Sequence, residues 1–232
     1  MNTSVIEAKS LTKTFGATTA LAGVDLTVQR GESVAIMGAS GSGKTTLLHV
    51  LAGITAPDAG RMLFSPAAGP SAEVTTMNER DRSRLRRESF GFVFQQGLLV
   101  PELTAIENIA LALMINGAPR RTAIEHAAGW MASLGLAGFE DRRIGEISGG
   151  QAQRVAIARS QVTGAELVFA DEPTGALDSQ TSADVMNALL WSTTGQGRTL
   201  IVVTHDADVA SRCSRTIHVR DGRITAAAGA HA

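Results

Sequence analysis

The chain has 232 residues, of which 44% are hydrophobic, and its formal net charge is −1. This composition can bury a substantial core, and the charge gives no general attraction to nucleic acid or to an anionic membrane. A single cysteine, Cys213, excludes an intrachain disulfide and suits a reducing compartment. We expect no signal peptide and a chain that is soluble by itself, because no apolar stretch approaches the roughly 18 residues of a membrane span.

Strands and helices are predicted to alternate along the chain. The hydrophobic pattern predicts strands at residues 5–11, 24–28, 33–37, 167–170, 199–203, 215–219 and 223–225, and helices at 45–52, 80–87 and 104–137 with a break at 116–119. Residues 56–60 are expected to form a turn, 65–76 a loop, and 226–232 a frayed tail. The continuous apolar runs at 167–170 and 199–203 are typical of strands covered on both faces. No linker divides the chain.

Residues 38–46 match the phosphate-loop pattern G-x-x-x-x-G-K-[ST] between a predicted strand and a predicted helix. Glycines let several backbone N–H groups face one point, where the helix N-terminus adds positive partial charge. Lys44 supplies a full charge for the β- and γ-phosphates, and the hydroxyl of Thr45 can ligate Mg²⁺. A glycine-rich turn with a chance lysine is the disfavoured alternative. The candidate nucleotide contacts are Gly38, Ser40, Gly41, Ser42, Gly43, Lys44, Thr45 and Thr46.

Two adjacent carboxylates, Asp171 and Glu172, end the predicted strand 167–170. A strand tip beside a phosphate loop is where a Mg²⁺ carboxylate is required, and Asp171 fits that role directly or through water. Glu172 then lies where a general base or water-orienting group is needed for hydrolysis. A solvated Asp-Glu pair in a turn is the alternative, and the phosphate loop makes it the weaker one.

A second anion site is predicted at the start of a helix after residue 147. Ser148 is a good helix N-cap, and Gly149 and Gly150 expose the N–H groups of the first turn. One protomer rarely needs two such sites for one phosphate chain. We therefore expect the second site to face the nucleotide of another copy; the alternative is an ordinary capped helix.

These motifs together resemble those of the ABC ATPases. Residues 147–151, Ile-Ser-Gly-Gly-Gln, resemble the family signature Leu-Ser-Gly-Gly-Gln, and the order of phosphate loop, Gln95, signature, Asp171-Glu172, residues 176–178 and His205 is the family order. The resemblance covers about residues 5–224. Stretches 34–38, 91–95 and 170–179 resemble the group that serves macrolide exporters, lipoprotein-release systems and related FtsX-like permeases. The resemblance to ABC ATPases implies an α/β P-loop NTPase fold with a RecA-like core lobe, an antiparallel β region and a helical lobe.

The resemblance also implies roles for single residues. Phe15 would stack on adenine, with a core aromatic as the alternative. Gln95 would reach Mg²⁺ and the attacking water, and His205 would contact the γ-phosphate. Asp178 would lie at a dimer interface. The signature residues Ser148, Gly149, Gly150 and Gln151 would contact the nucleotide of the second copy.

Three departures from the family pattern are visible. Ile147 replaces the first leucine of the signature, and Gly97-Leu98 stands where the group commonly has Phe-Asn. Residues 61–79 are rich in Pro and Ala and are a few residues longer than usual for the family. The five arginines of residues 80–87 suggest a nucleic-acid patch, but no aromatic residues interleave, so a solvated helix face is favoured and no nucleic-acid partner is expected.

The predicted protein is a single ABC ATPase domain, residues 1–232, with a core lobe of about 1–96 and 160–232 and a helical lobe of about 97–159. Two copies would close head to tail around ATP and Mg²⁺. We expect a separate FtsX-like transmembrane permease, export or extraction of a substrate, and a position at the cytoplasmic face of the cell membrane. The alternative is a regulatory mechanical ATPase that controls cell-wall enzymes without transport. Soluble ABC proteins of DNA repair or translation are disfavoured, because the chain has neither a coiled-coil insertion nor tandem cassettes.

Overall fold

The computed structural model describes residues 4–95 and 97–229 as two sheets with helices packed between and beside them. The strands are β1 (Ser4–Phe15), β2 (Thr18–Gln29), β3 (Ser33–Met37), β4 (Ala59–Phe64), β5 (Ala72–Glu73), β6 (Phe90–Phe94), β7 (Leu167–Asp171), β8 (Thr199–Val203), β9 (Arg215–Arg220) and β10 (Arg223–Gly229). The α-helices are α1 (Lys44–Leu51), α2 (Glu79–Ser89), α3 (Ala105–Ile115), α4 (Arg120–Ser133), α5 (Gly149–Gln161), α6 (Ser179–Ser192) and α7 (Ala207–Ser211).

The larger sheet has the strand order β10-β9-β3-β8-β7-β6. Strands β9, β3, β8, β7 and β6 pair in parallel, and β10 closes the edge as an antiparallel hairpin partner of β9. Strand β8 is buried at every position and β3 and β7 at all but the last, as the continuous apolar sequences predict. Because the strands are parallel, the ends of β3, β7 and β8 reach the same edge of the sheet, where the loops after them meet.

The smaller sheet is antiparallel, with the order β2-β1-β4-β5. Helix α1 contacts strands of both sheets, and a first apolar cluster joins its leucines to inward-facing residues such as Leu11, Met62 and Phe169. This packing anchors the helix that follows the phosphate loop.

A second apolar cluster lies on the opposite face of the larger sheet. It joins α3, α4, α5 and α6 to β7 and β8 through residues such as Ile109, Met131, Val155, Val168 and Val202. The predicted helices of residues 97–159 therefore share a core with the sheet. The division into two lobes stays a prediction.

Several local predictions from sequence differ from the structure. Strand β4 begins within the predicted turn 56–60, and β5 lies within the predicted loop 65–76, because pairing with β1 orders this segment. The expected frayed tail is wrong for residues 226–229, which pair with residues 215–218 of β9; residues 230–232 lie outside the described part. Every helix in residues 4–95 and 97–229 is too short or too polar to cross a bilayer.

Candidate nucleotide-binding site

The phosphate loop connects β3 to α1 and depends on glycine at two close backbone approaches. Gly38 has φ 156° and Gly43 has φ 105°. A Cβ atom on Gly38 would lie 2.2 Å from the carbonyl oxygen of Val219, and one on Gly43 would lie 2.3 Å from that of Ala20. The start of α1 has no side-chain cap. Its first N–H groups are therefore left for a ligand at the loop.

Lys44 lies across this loop with its side chain almost buried. Its Nζ donates to the carbonyl oxygens of Gly38 at 2.8 Å and Ala39 at 2.9 Å. The ammonium is thus held at the centre of the loop by two neutral acceptors and has no carboxylate partner among the described residues. An anionic oxygen is a stronger acceptor for such a group.

A cavity of about 630 Å³ opens beside the loop and brings distant predicted residues together. Glu172 and His205 line it opposite the loop, as the sequence predicts. Ser42 is buried, and its hydroxyl has no hydrogen-bond partner. Thr18 and Ala20 of β2 are lining residues that sequence reasoning missed, because a strand pattern does not reveal which loop its edge meets. The lining residues are Thr18, Ala20, Gly38, Ala39, Ser40, Gly41, Gly43, Lys44, Thr45, Thr46, Glu172 and His205.

Glu172 and His205 contact each other at the wall of the cavity. The Nδ1 atom of His205 lies 2.8 Å from Oε1 of Glu172. Glu172 has φ +46°, a conformation that a residue with a side chain rarely adopts, and its N–H donates to the carbonyl oxygen of Val203 at 2.9 Å. This backbone bond fixes the turn that directs the carboxylate into the cavity.

Asp171, at the end of β7, is a half-buried carboxylate. Burial raises its pKa; among the opposing effects are the charges of His49 and Lys44 and a hydrogen bond with the Thr45 side chain, while the charge of Glu172 adds to the rise. Its Oδ1 atom is buried without a hydrogen-bond partner. An unsatisfied oxygen beside a threonine hydroxyl suits a hard cation such as Mg²⁺, which binds through one or two protein oxygens and the substrate phosphates.

Gln95 and Phe15 lie outside the lining of this cavity. Gln95 is exposed after β6, and a Cβ on Gly175 would lie 3.0 Å from its Nε2 atom and 3.5 Å from the Cβ of Glu172. Phe15, at the end of β1, is 53% exposed, with Nζ of Lys13 at 5.5 Å from its ring centroid. The core-aromatic alternative for Phe15 is therefore wrong: the ring is exposed, and Nζ of Lys13 lies over one of its faces.

The predicted signature residues are also absent from the cavity lining. Ser148 caps α5: its hydroxyl accepts from the N–H of Gln151 at 3.3 Å, and Oε1 of Gln151 accepts from the N–H of Ser148 at 2.8 Å. Gly149 and Gly150 pack closely on the neighbouring segment, since a Cβ on Gly150 would lie 2.4 Å from Cγ2 of Thr181.

Asp178 stabilises the start of α6, the helix that packs against Gly150 of the signature. It caps α6 by accepting from the N–H of Thr181 at 3.0 Å and from its hydroxyl at 2.7 Å. These two bonds hold the pKa of Asp178 below its ordinary value. A single copy of the chain therefore brings the phosphate loop, Glu172 and His205 together, and keeps the signature and Asp178 apart from them.

The chain is similar in sequence and fold to known proteins. The profile of the family described as ABC transporter matches residues 21–175. Macrolide export ATP-binding/permease protein MacB of Brucella melitensis biotype 1 is 44% identical over 95% of this chain and 34% of its own length. Pyoverdine export ATP-binding/permease protein PvdT of Pseudomonas fluorescens is 42% identical over 97% of this chain and 34% of its own length.

Solved structures agree with the sequence relatives. A dimeric structure of a post-hydrolysis state of the ATP-binding cassette MJ0796, bound to ADP and Pi, superposes with a TM-score of 0.86. It is 33% identical and covers 98% of this chain and 99% of that chain. The chain spans about a third of the length of the curated relatives it matches. The profile match over more than half of the chain, with a fold that carries the phosphate loop at its sheet edge, shows that the chain belongs to the ABC transporter family as an ATP-binding ATPase cassette.

Proposed function

We propose that this cassette uses ATP to drive an FtsX-like permease for export or extraction of a substrate. The observation that carries the proposal is the separation of the site into two parts. The phosphate loop, Glu172 and His205 enclose one cavity, whereas Ser148 begins a helix that does not reach it. A complete site then needs a second copy.

Within one copy, Lys44 and the loop N–H groups bind the phosphates, and Phe15 stacks on the base. Glu172 accepts a proton from the attacking water, with His205 holding its carboxylate at 2.8 Å. Gln95 orients the same water from its place beside Gly175. The 2.8 Å contact of His205 with Glu172, the buried position of Lys44 across the loop and the exposure of Phe15 and Gln95 support these assignments.

Asp171 and Thr45 are the side chains that would hold Mg²⁺, with Gln95 as a further oxygen donor. The buried, unpaired Oδ1 of Asp171 supports this assignment. When bound, the ion neutralises charge on the β- and γ-phosphates. A bound ion would give the Oδ1 atom of Asp171 the partner that it lacks, and its charge would oppose the burial that raises the pKa of Asp171.

The second copy would pair head to tail and place its Ser148, Gly149, Gly150 and Gln151 against the nucleotide, with Asp178 at the interface. MJ0796, which has been solved as a dimer, supports this assembly. Nucleotide between two copies would bind them together, and hydrolysis would release them.

Mixing two defective variants tests the composite site directly. Lys44→Ala removes the phosphate contact, and Ser148→Arg blocks the signature contact. Each variant alone should lose ATP turnover. In a mixed dimer one site carries both defects and the other carries none, so phosphate release should reappear on mixing. Turnover that stays absent at all mixing ratios, although mixed dimers form by cross-linking, would refute a shared site.

The permease partner is supported by the relatives MacB and PvdT, whose names join ATP binding to a permease and specify export. These names favour export over regulation without transport. We expect the cassette to act at the cytoplasmic face of the cell membrane, with cargo chosen by the permease. Co-purification from membranes with a permease of another class, or with none, would contradict this part of the proposal.

A further inference from the structure

Helix α5 is hydrogen-bonded to the chain on both sides of Gln95. Nε2 of Gln153 donates to the carbonyl oxygen of Phe94 at 2.9 Å. The guanidinium of Arg159 donates to the carbonyl oxygens of Gly97 and Leu98, both at 2.7 Å. Three backbone acceptors around Gln95 are thus bound by two side chains of one helix.

The backbone after Gln95 has a conformation that needs such support. Gly97 has φ +65° and Leu98 has φ +45°, and two successive left-handed residues turn both carbonyls toward Arg159. This region is unfavourable for leucine. The Leu98 side chain is 61% exposed, so burial of that side chain does not compensate. Besides the backbone bond from the N–H of Gly97 to the carbonyl oxygen of Phe94 at 2.9 Å, the turn is stabilised by the pair of bonds from Arg159.

Arginine suits this place better than any other cation. Its planar fork can donate to two acceptors at once, whereas a lysine ammonium acts as a point charge. Burial lowers the pKa of Arg159, and no carboxylate of the described residues forms an ion pair with it. A charged group kept half-buried against two neutral carbonyls indicates that its function is to bind this loop.

Helix α5, which carries these two side chains, is packed closely against its neighbours at both ends. A Cβ on Gly91 of β6 would lie 2.4 Å from the carbonyl oxygen of Ser160, so helix and strand are in backbone contact. At the other end, Gly150 lies against Thr181. The same helix begins at Ser148, the residue assigned to the second copy's nucleotide.

We propose that Gln153 and Arg159 are positioning residues that fix the Gln95 backbone to α5, so that contact of Ser148 with the partner's nucleotide is transmitted to Gln95. This inference rests on the proposed function, because it needs Gln95 to act on the attacking water. Arg159 is not among the residues that line the cavity beside the phosphate loop. It acts by holding the backbone from which Gln95 reaches Gly175 and the Glu172 turn.

A double-mutant cycle on the purified chain tests the inference. Arg159→Lys keeps the charge and removes the fork, and we expect kcat for ATP to fall about tenfold with little change in KM, because small misplacements of a catalytic group are costly. In a Gln95→Ala background the same substitution should change kcat less than about twofold, because the group that it positions is gone.

Arg198→Lys is the matched control. Arg198 is also a half-buried arginine with a lowered pKa, and it donates to the carbonyl oxygen of Gln161, the last residue of α5, and not to residues 97 and 98. It should leave kcat near the wild-type value. Hydrogen exchange at residues 97–99 should accelerate in Arg159→Lys and not in Arg198→Lys, which reports the loop independently of turnover.

The outcomes separate the two proposals. Equal fold losses from Arg159→Lys in both backgrounds, or unchanged exchange at residues 97–99, overturn the positioning role while leaving the ATPase assignments intact. A Gln95→Ala variant with wild-type kcat instead overturns the assigned role of Gln95, and with it the inference. Gln153→Leu, which removes the bond to Phe94, should show the same dependence on Gln95 as Arg159→Lys.

Discussion

Two helices of this protein begin with glycine-rich sequence, and their starts differ in how the first N–H groups are used. Helix α1 begins after Gly43, has no side-chain cap, and faces a cavity. Helix α5 begins after Ser148, which forms a reciprocal capping box with Gln151. The first start is prepared for a ligand inside its own copy. The second start is stabilised by hydrogen bonds between its own residues, Ser148 and Gln151.

The difference explains how one chain holds two anion-binding elements without competition between them. An uncapped start needs a ligand or water for its N–H groups, so phosphate binding improves the local structure. The capping box pairs the N–H groups of Ser148 and Gln151 within the chain, so contact of the remaining N–H groups with a second copy can form and break without unfolding α5. Four pairs of substitutions test this contrast.

The largest expected effect is on chemistry at the α1 side. Glu172→Gln should lower ATP turnover by about 10²- to 10⁴-fold, the usual contribution of a general base, and should leave ATP binding intact. Size-exclusion chromatography with ATP should then show a trapped dimer. Glu166→Gln, at the opposite end of β7 and paired with Arg30, is the control and should hydrolyse ATP normally. Wild-type-like turnover in Glu172→Gln would contradict the role of Glu172 as the general base.

The next effect is on binding at the uncapped start. Lys44→Ala should weaken ATP affinity by roughly 10- to 100-fold, because hydrogen bonds to charged groups contribute about 1.5–3 kcal/mol. Titration with a fluorescent nucleotide measures the change. Lys9→Ala, on an exposed position of β1, should bind ATP as the wild type does. Equal affinity in the two variants would contradict the phosphate role.

The third pair of substitutions compares the two glycine-rich starts directly. Gly43→Ala should destabilise the fold by about 2 kcal/mol or more, since a left-handed backbone alone costs about 1–2 kcal/mol and its Cβ would also meet Ala20. Gly149→Ala has an ordinary backbone and meets only Cδ2 of Leu177 at 3.1 Å. It should keep most of its stability in urea unfolding. Similar losses of stability in Gly43→Ala and Gly149→Ala would contradict the difference between the two helix starts.

The smallest effect concerns pH at the start of α6, where Asp178 caps the helix that packs against Gly150 of α5. Because bonds from Thr181 depress the pKa of Asp178 in the fold, their stabilisation is fully present above its ordinary value of 3.8 and is lost as pH falls through the depressed pKa. Asp178→Asn keeps an oxygen acceptor and should lose less stability than wild type between pH 6 and pH 3. Asp184→Asn, at an exposed position of α6, should have the same pH dependence of stability as wild type. The same pH dependence in wild type and both variants would contradict the stabilising role of the Asp178 cap.

The sequence predicted the phosphate loop, Glu172 and His205 as neighbours, and the structure brings them together. Each follows or precedes a strongly apolar strand, and parallel strands end at one edge, so local pattern was enough. Thr18 and Ala20 were missed because their place depends on how β2 meets a loop of the other sheet.

Arg159 and Gln153 were missed for a related reason. They lie within a stretch that resembles the signature helix, and nothing in a helical pattern shows which carbonyls its side chains will reach. Strand β4 was hidden by Pro57, which precedes it, and by Gly60, which lies within it. Long-range pairing, which local propensity does not encode, decided these features.

The close contact between the phosphate loop and the last hairpin has a consequence for how the site is made. Val219 lies against Gly38, and the N–H of Gly222 donates to the carbonyl oxygen of Ser42 at 3.0 Å. The loop itself leaves the ribosome more than 170 residues before these partners. In a nascent chain, the phosphate loop therefore lacks these contacts until the β9–β10 hairpin has been synthesised. We expect ATP binding to require synthesis and folding past residue 222.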